Sequence, residues 1–371
     1  LVKQSTATLD QFWQSERKLM TLHQRPSLQE VPAYKQGKPA AAGASKLSSN
    51  ESPHTPLPSV LASIQEGLAT IHRYPSIAAP ELTGALSQQF DIPAEHITLG
   101  AGSVEVAAQL IHALAAEGDE VMYAWRSFEA YPSLVRIAGA TPVEVPLNAE
   151  HCHDLPAMLA AITEKTRLIF ICNPNNPTGT VVQAEALDEF INAVPRNVLV
   201  VVDEAYVHFD RSERADGVAL FRKYPHVAVL HTFSKAYGLA GLRVGYAISP
   251  LEVAANLRKV AVPFGVSDLA QRAAVASLAA IEELSVRIEE VVTQRERMYE
   301  GLAAAGYPVV KSQANFVWVD AGEATELLET KLSAGGVVVR AFPSEGLRIS
   351  SGTAEDVDRV LAALTVKEAT A

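Results

Sequence analysis

The sequence predicts an α/β protein, with a mostly parallel central sheet in a large domain and a smaller α+β domain after it. Three observations carry that prediction. Short, nearly continuous apolar runs (Leu168–Cys172, Val198–Val202, Val227–His231) suit strands buried on both faces of a parallel sheet. Helical stretches separate these runs in alternation from about residue 61. After Pro263 the alternation gives way to a long helical stretch and then to short strands.

Taken in order, residues 1–24 are polar with a weak helical pattern at Leu9, Phe12 and Trp13. The first methionine is Met20, so residues 1–19 read either as an upstream extension or as an N-terminal helix. Residues 25–60, with Pro26, Pro32, Pro39, Pro53, Pro56 and Pro58, read as an extended arm rather than a packed unit. The large domain is assigned to 61–265. In it Ile97–Leu99 leads to a helix over 104–116, and Glu120–Tyr123 to a helix near 128–138; the apolar runs above and Val244–Ile248 follow. The small domain is assigned to 266–371: one helix over 268–305, strands at Ala314–Val319, Val337–Arg340 and Gly346–Ile349, and a terminal helix. Charges at Glu282, Glu283, Arg287, Glu289, Glu290, Arg295 and Arg297 read as a solvated helix face with i,i+4 pairs.

Composition narrows the function. The 371 residues are 48% hydrophobic and 20% charged, ordinary for a globular protein, and the formal net charge of −11 has no basic block. That argues against nucleic acid or an anionic membrane as partner. No apolar run reaches the roughly 18 residues a membrane span needs. The polar start lacks a secretory signal, and two cysteines, Cys152 and Cys172, read as free thiols; a cytoplasmic protein is expected.

Four strand-end loops hold the candidate chemistry. Thr232-Phe233-Ser234-Lys235 follows Val227–His231 and leads to Gly238, Gly241 and Arg243, facing the crevice where open α/β sheets bind ligands. Asp203 closes the run Val198–Val202, and a buried acid there needs a partner, either its own turn or a cationic ring nitrogen; Tyr206 follows it. Asn173-Pro174-Asn175-Asn176-Pro177-Thr178-Gly179 is a rigid turn that presents Asn176. Gly100-Ala101-Gly102-Ser103 opens a helix whose free N–H groups and dipole suit a phosphate.

Together with Leu47-Ser48-Ser49-Asn50-Glu51, Arg73-Tyr74-Pro75, Gly102-Ser103-Val104-Glu105, Asp203-Glu204-Ala205-Tyr206 and the run Thr232 to Tyr246, these loops resemble the fold-type I pyridoxal-5'-phosphate (PLP) aminotransferases of class I/II. The likeness runs from about residue 25 to the end and is nearest to the branch of histidinol-phosphate aminotransferases and their aromatic-amino-acid relatives. It implies PLP as cofactor, an amino acid and a 2-oxo acid as substrates, a homodimer, and no metal. Lys235 is implied as the residue that carries the cofactor and moves the substrate proton. Ser103 and Val104 by backbone, with Thr232, Ser234 and Arg243 by side chain, are implied to grip its phosphate. Phe128 is implied to stack on the ring, Asn176, Asp203 and Tyr206 to hold it, and Tyr74 to reach the neighbouring subunit's phosphate. Arg348 is implied to clamp the substrate carboxylate, with Tyr34, Asn176 and Arg340 also around the substrate.

The chain departs from histidinol-phosphate members at Val104, Phe128, His231 and Phe264, where an acid, two tyrosines and an arginine are usual, the tyrosines at 128 and 264. Trp125-Arg126-Ser127-Phe128-Glu129 and Val262-Pro263-Phe264 look like the actinobacterial aromatic (phenylalanine) aminotransferases instead. Loss of polar groups that would hold a phosphate favours an aromatic amino donor. Histidinol phosphate is the alternative donor; a PLP decarboxylase or lyase and a PLP-binding regulator rank below both. His151-Cys152-His153-Asp154, with no second cluster, reads as a surface loop rather than a metal site.

Overall fold

The computed structural model describes Arg25, Leu28, Gln29 and residues 31–33 and 37–365. The chain divides into two units, residues 1–33 and residues 34–371. In the first, the N–H groups of Leu28 and Val31 donate to the carbonyls of Arg25 and Leu28, making a short turn. The proposed N-terminal helix and Tyr34 lie outside the described residues.

The second unit is built on a seven-stranded sheet. Its strands are β1 (Ile97–Gly100), β2 (Glu120–Trp125), β3 (Thr141–Pro146), β4 (Thr166–Cys172), β5 (Leu199–Asp203), β6 (Val227–Thr232) and β7 (Gly245–Ile248), in the order β1-β7-β6-β5-β4-β2-β3. All pairs are parallel except those of β7, which runs against both β1 and β6. The apolar runs have the expected cause. Leu168, Phe170, Leu199 and Val201 bury into one core, and Ile169, Ile171, Val200 and Val202 into another, so both faces of β4 and β5 are covered. The helix expected over 104–116 is Ser103–Leu114, and that near 128–138 is Ala130–Ala138.

Three sequence expectations are corrected. Thr141–Pro146 was not anticipated as a strand; its prolines and mixed exposure befit the edge it occupies, where a missing N–H costs no ladder bond. The stretch 268–305 is two helices, Asp268–Ala279 and Ile281–Ala304, broken at Ala280, whose backbone leaves the helical region. Arg295 on the second is no surface charge: it is fully buried, donating from Nη1 to the carbonyls of Phe209 (3.0 Å) and Ala314 (3.1 Å), and pairing with Glu296. Other charges of that helix pair across elements, Glu289 with Arg211 and Arg297 with Asp358.

A four-stranded antiparallel sheet follows, in the order Arg340–Phe342, Gly346–Ser350, Phe316–Val319, Val309–Val310. It has a core of its own around Val317, Leu347, Leu328 and Val357. The arm reaches it through Ser45–Lys46, which pairs in parallel with Val337–Val338, and Leu47 enters the same core. Among the described residues no helix is long and apolar enough to cross a membrane.

Candidate active site

Strand register brings the four loops together. Cys172 lies opposite Asp203, and both Gly100 and Thr232 lie opposite Gly245, so β1, β4, β5 and β6 end on one edge of the sheet. Ligands of open α/β sheets bind beyond such carboxyl ends. A cavity of about 310 Å³ opens there. It is lined from the large sheet by Ser103, Val104, Phe128, Asn176, Asp203, Tyr206, Thr232, Ser234, Lys235 and Arg243, and from the small sheet by Arg340 and Arg348.

One end is furnished for an anion. Gly102, at φ +83°, caps the helix Ser103–Leu114 without a side-chain acceptor. A Cβ on Gly102 would collide with the Arg243 guanidinium, and one on Gly245 with the Ser103 amide. The two glycines therefore let the arginine and the helix N-terminus close on the same space. Arg243 adopts φ +55°, uncommon for a side-chain-bearing residue, and donates to Ser234 Oγ (3.3 Å), while the Ser234 amide donates to Thr232 Oγ1 (3.0 Å). Helix dipole, two hydroxyls and a guanidinium are the donor set a phosphate dianion needs, so the residues present fit the phosphate of PLP.

Lys235 and Asp203 form the centre. Lys235 Nζ donates to the Ser49 carbonyl (3.2 Å) and sits 5.8 Å from the Tyr206 ring centroid. Loss of hydration, then Arg348, pulls its ammonium down to about 7, with Arg243 adding to the effect and Glu51 and Asp203 opposing it. A neutral amine is therefore available near neutrality, and its fraction grows as pH rises through that value. Asp203 is 4% exposed, and burial pushes its carboxyl up to about 6, against the hydrogen bonds it accepts from Tyr131 Oη (2.6 Å) and the Ala205 amide (3.2 Å). Such an acid accommodates a cationic ring nitrogen, as PLP offers, better than it tolerates isolation. Tyr206 Oη accepts from Asn50 Nδ2 (3.1 Å). Tyr131 and Asn50 were missed as site residues: both sit within recognisable segments, but only the fold brings them to Asp203 and Tyr206. Tyr131 is fully buried, stacked on Phe170 and edge-on to Phe128.

The other end holds the two small-sheet arginines. Arg348, 7% exposed, donates to Asn176 Oδ1 (2.6 Å) and to the Ser48 carbonyl (2.8 Å). Asn176 thus faces a guanidinium, which orients its amide. Arg340 pairs with Glu129 (2.7 Å).

Other residues singled out in the sequence lie outside this cavity. Tyr74 is 82% exposed and stacks on Phe264 with centroids 4.6 Å apart, outside this cavity. His231 is buried with its Nε2 3.2 Å from Glu204 Oε2, and does not line this cavity. His153 is not a surface residue: it is buried, and burial lowers its imidazolium to about 4. Among the described residues no group of three or more His, Cys, Asp or Glu could hold a metal.

Comparison with known proteins matches this geometry. The family model "Aminotransferase class I and II" covers residues 43–364. The chain is 54% identical over 338 residues to the aromatic amino acid aminotransferase of Streptomyces avermitilis, covering 90% of this chain and 94% of that protein. It is 48% identical over 347 residues to the aromatic amino acid aminotransferase of Cutibacterium acnes, covering 93% and 99%. Among solved structures, histidinol-phosphate aminotransferase from Sinorhizobium meliloti in complex with pyridoxal-5'-phosphate superposes with a TM-score of 0.85 at 27% identity, over 94% of this chain and 98% of that one.

Proposed function

The chain belongs to the class I and II aminotransferases, and from that premise we propose that it uses PLP to move the amino group of an aromatic L-amino acid to a 2-oxo acid such as 2-oxoglutarate. The observation that carries the cofactor reading is the meeting, in one cavity, of a lysine brought down to about 7, a buried acid and a glycine-cleared phosphate cradle. The names of relatives at 48–54% identity support the aromatic donor. So do Val104 and Phe128, which wall the cavity without an acid or a hydroxyl.

On this reading Ser103, Val104, Thr232, Ser234 and Arg243 hold the phosphate, Phe128 and Asn176 bound the ring, and Asp203 faces its nitrogen with Tyr206 near its oxygen. PLP, when bound, supplies a covalent attachment for the amino group and an electron sink for the bond at Cα. Arg348 binds the substrate carboxylate and fixes which Cα bond faces Lys235. Tyr34 is assigned to the substrate as well. Lys235 would hold the cofactor covalently, and its neutral amine would take the proton from the amino donor's Cα in the first half-reaction and deliver one to the Cα of the 2-oxo acid in the second. The two half-reactions alternate in ping-pong fashion.

We assign 1–24 to an N-terminal extension, 25–60 to the arm, 61–265 to the cofactor-binding domain and 266–371 to the small domain. A homodimer is supported by the exposed apolar group around Tyr74 and Phe264, with Ile71, Ile77 and Val262 also exposed. The two cysteines are free, in keeping with the cytoplasm. The test is product formation: the PLP-loaded protein with L-phenylalanine and 2-oxoglutarate should release phenylpyruvate and L-glutamate in equal amounts. Carbon dioxide in place of phenylpyruvate, or no product, would overturn the proposal.

A further inference from the structure

The substrate end of the cavity must serve two different molecules in turn, and its wall contains an acid that the proposed reaction does not use. Glu129 follows Phe128 directly, and both line the cavity. Its carboxylate takes Arg340 with both oxygens, at 2.7 Å to Nη2 and 3.2 Å to Nε. Arg340 stands opposite Arg348 on the neighbouring antiparallel strand. Directly opposed like charges on adjacent strands repel, and a carboxylate on one of them relieves that repulsion.

The placement of Glu129 is fixed by more than this pair. Arg126, on the same loop, forms the reverse pair with Glu345 across the gap between the two sheets. Its guanidinium lies 4.6 Å from the Trp125 ring and 5.2 Å from the Phe342 ring. Two ion pairs of opposite polarity, Arg126 with Glu345 and Glu129 with Arg340, thus bind the loop 125–129 to the hairpin 340–346 in one register. Exchanging partners would set Arg126 against Arg340 and Glu129 against Glu345, so the two pairs together specify where Glu129 points.

We propose that Glu129 is a specificity-determining residue: by occupying Arg340 it favours neutral, aromatic side chains over anionic ones at the distal end of the substrate site. An aromatic side chain lies beside Phe128 and leaves the Glu129–Arg340 pair intact. A substrate with a second carboxylate, such as L-glutamate or its 2-oxo acid, has to compete with Glu129 for the same guanidinium. A bidentate carboxylate is a strong competitor, because the fork of Arg340 matches either partner equally well. The inference deepens the aminotransferase reading and rests on it.

The experiment compares the wild-type holoenzyme with Glu129→Gln and Glu129→Asp, using L-phenylalanine and L-glutamate as amino donors and maleate as a non-reacting dicarboxylate. In Glu129→Gln the ratio of kcat/KM for L-glutamate to that for L-phenylalanine should rise about tenfold, chiefly through KM, and maleate inhibition should tighten by a similar factor. Glu129→Asp should restore most of the wild-type ratio. Arg340→Met in the Glu129→Gln background should abolish the gain, which ties the effect to the arginine rather than to a general loosening of the loop. Maleate affinity is read as inhibition and as protection of the holoenzyme against thermal unfolding, so it remains measurable in a slow variant. An unchanged ratio and unchanged maleate affinity in Glu129→Gln would overturn the proposal. Failure of the wild type to transaminate L-phenylalanine would instead overturn the functional reading beneath it.

Discussion

The two ends of the cavity are built in different ways. The cofactor-facing end comes from strand termini of a single sheet: Ser103 after β1, Asn176 after β4, Asp203 at the end of β5, and Thr232 to Lys235 after β6. Each such residue is positioned by a turn of a few residues and by the strand register. The substrate-facing end is assembled from distant parts of the chain: the arm through Ser48, the loop through Glu129, and the small sheet through Arg340 and Arg348. The first kind of site is rigid because the sheet is; the second depends on how the small sheet and arm are held against the large one. Chemistry sits on the rigid half, and selectivity sits where parts meet.

That contrast predicts different failures at the two ends. The largest effect belongs to Lys235→Ala, which should cost about 10⁴-fold or more in turnover, because the group that moves the proton is gone. Substrate should still bind, seen as a spectral change of the bound cofactor on adding L-phenylalanine. Full cycling by this variant would break the comparison at its strongest point.

Arg348→Ala should act at the other end. KM for L-phenylalanine should rise about 100-fold with a smaller loss in kcat, since a buried charged contact to the substrate is lost while Lys235 keeps its place. An unchanged KM would put the carboxylate clamp elsewhere. Loss of Arg348 also removes a neighbour that lowers Lys235, so the lower limb of the pH–rate profile should move to higher pH.

The smallest effect concerns what the rigid end costs the fold. Burial raises Asp203 to about 6 in the folded protein, above its unfolded value near 4. Its contribution to stability is therefore fully present below about pH 4 and lost as pH rises through about 6. In the cofactor-free protein Asp203→Asn should remove that dependence and raise stability above pH 6 by on the order of 2 kcal/mol. The same variant should bind PLP more weakly. Chemical unfolding of the cofactor-free protein at pH 5 and pH 8 checks the first statement, and a PLP titration the second.

The same division explains what could be read from the residues alone. Strands β4, β5 and β6 were legible because burial on both faces leaves a continuous apolar run, and the loops after them carry Gly, Pro, Asn and Asp whose turn chemistry is local. The edge strand Thr141–Pro146 was not, since half of its side chains face solvent and its prolines imitate a loop. Tyr131 gives Asp203 its hydrogen bond from a helix 72 residues earlier in the chain, and no local pattern announces that. Nor does a helical charge pattern tell Arg295, wholly buried against two carbonyls, from the solvated arginines beside it. Arg340 and Arg348 were expected from resemblance, whereas the acid that holds Arg340 emerged only when the loop and the hairpin were seen together.

The central claim is that this cavity is made for an aromatic amino donor, and a single-turnover comparison tests it most directly. The PLP-loaded enzyme is mixed with L-phenylalanine in one experiment and L-histidinol phosphate in the other, without a 2-oxo acid, and the change in cofactor absorbance is followed. The account predicts faster conversion by L-phenylalanine. Faster conversion by L-histidinol phosphate would contradict it, and would mean that the cavity grips a phosphate at the distal end although Val104 and Phe128 offer neither an acid nor a hydroxyl.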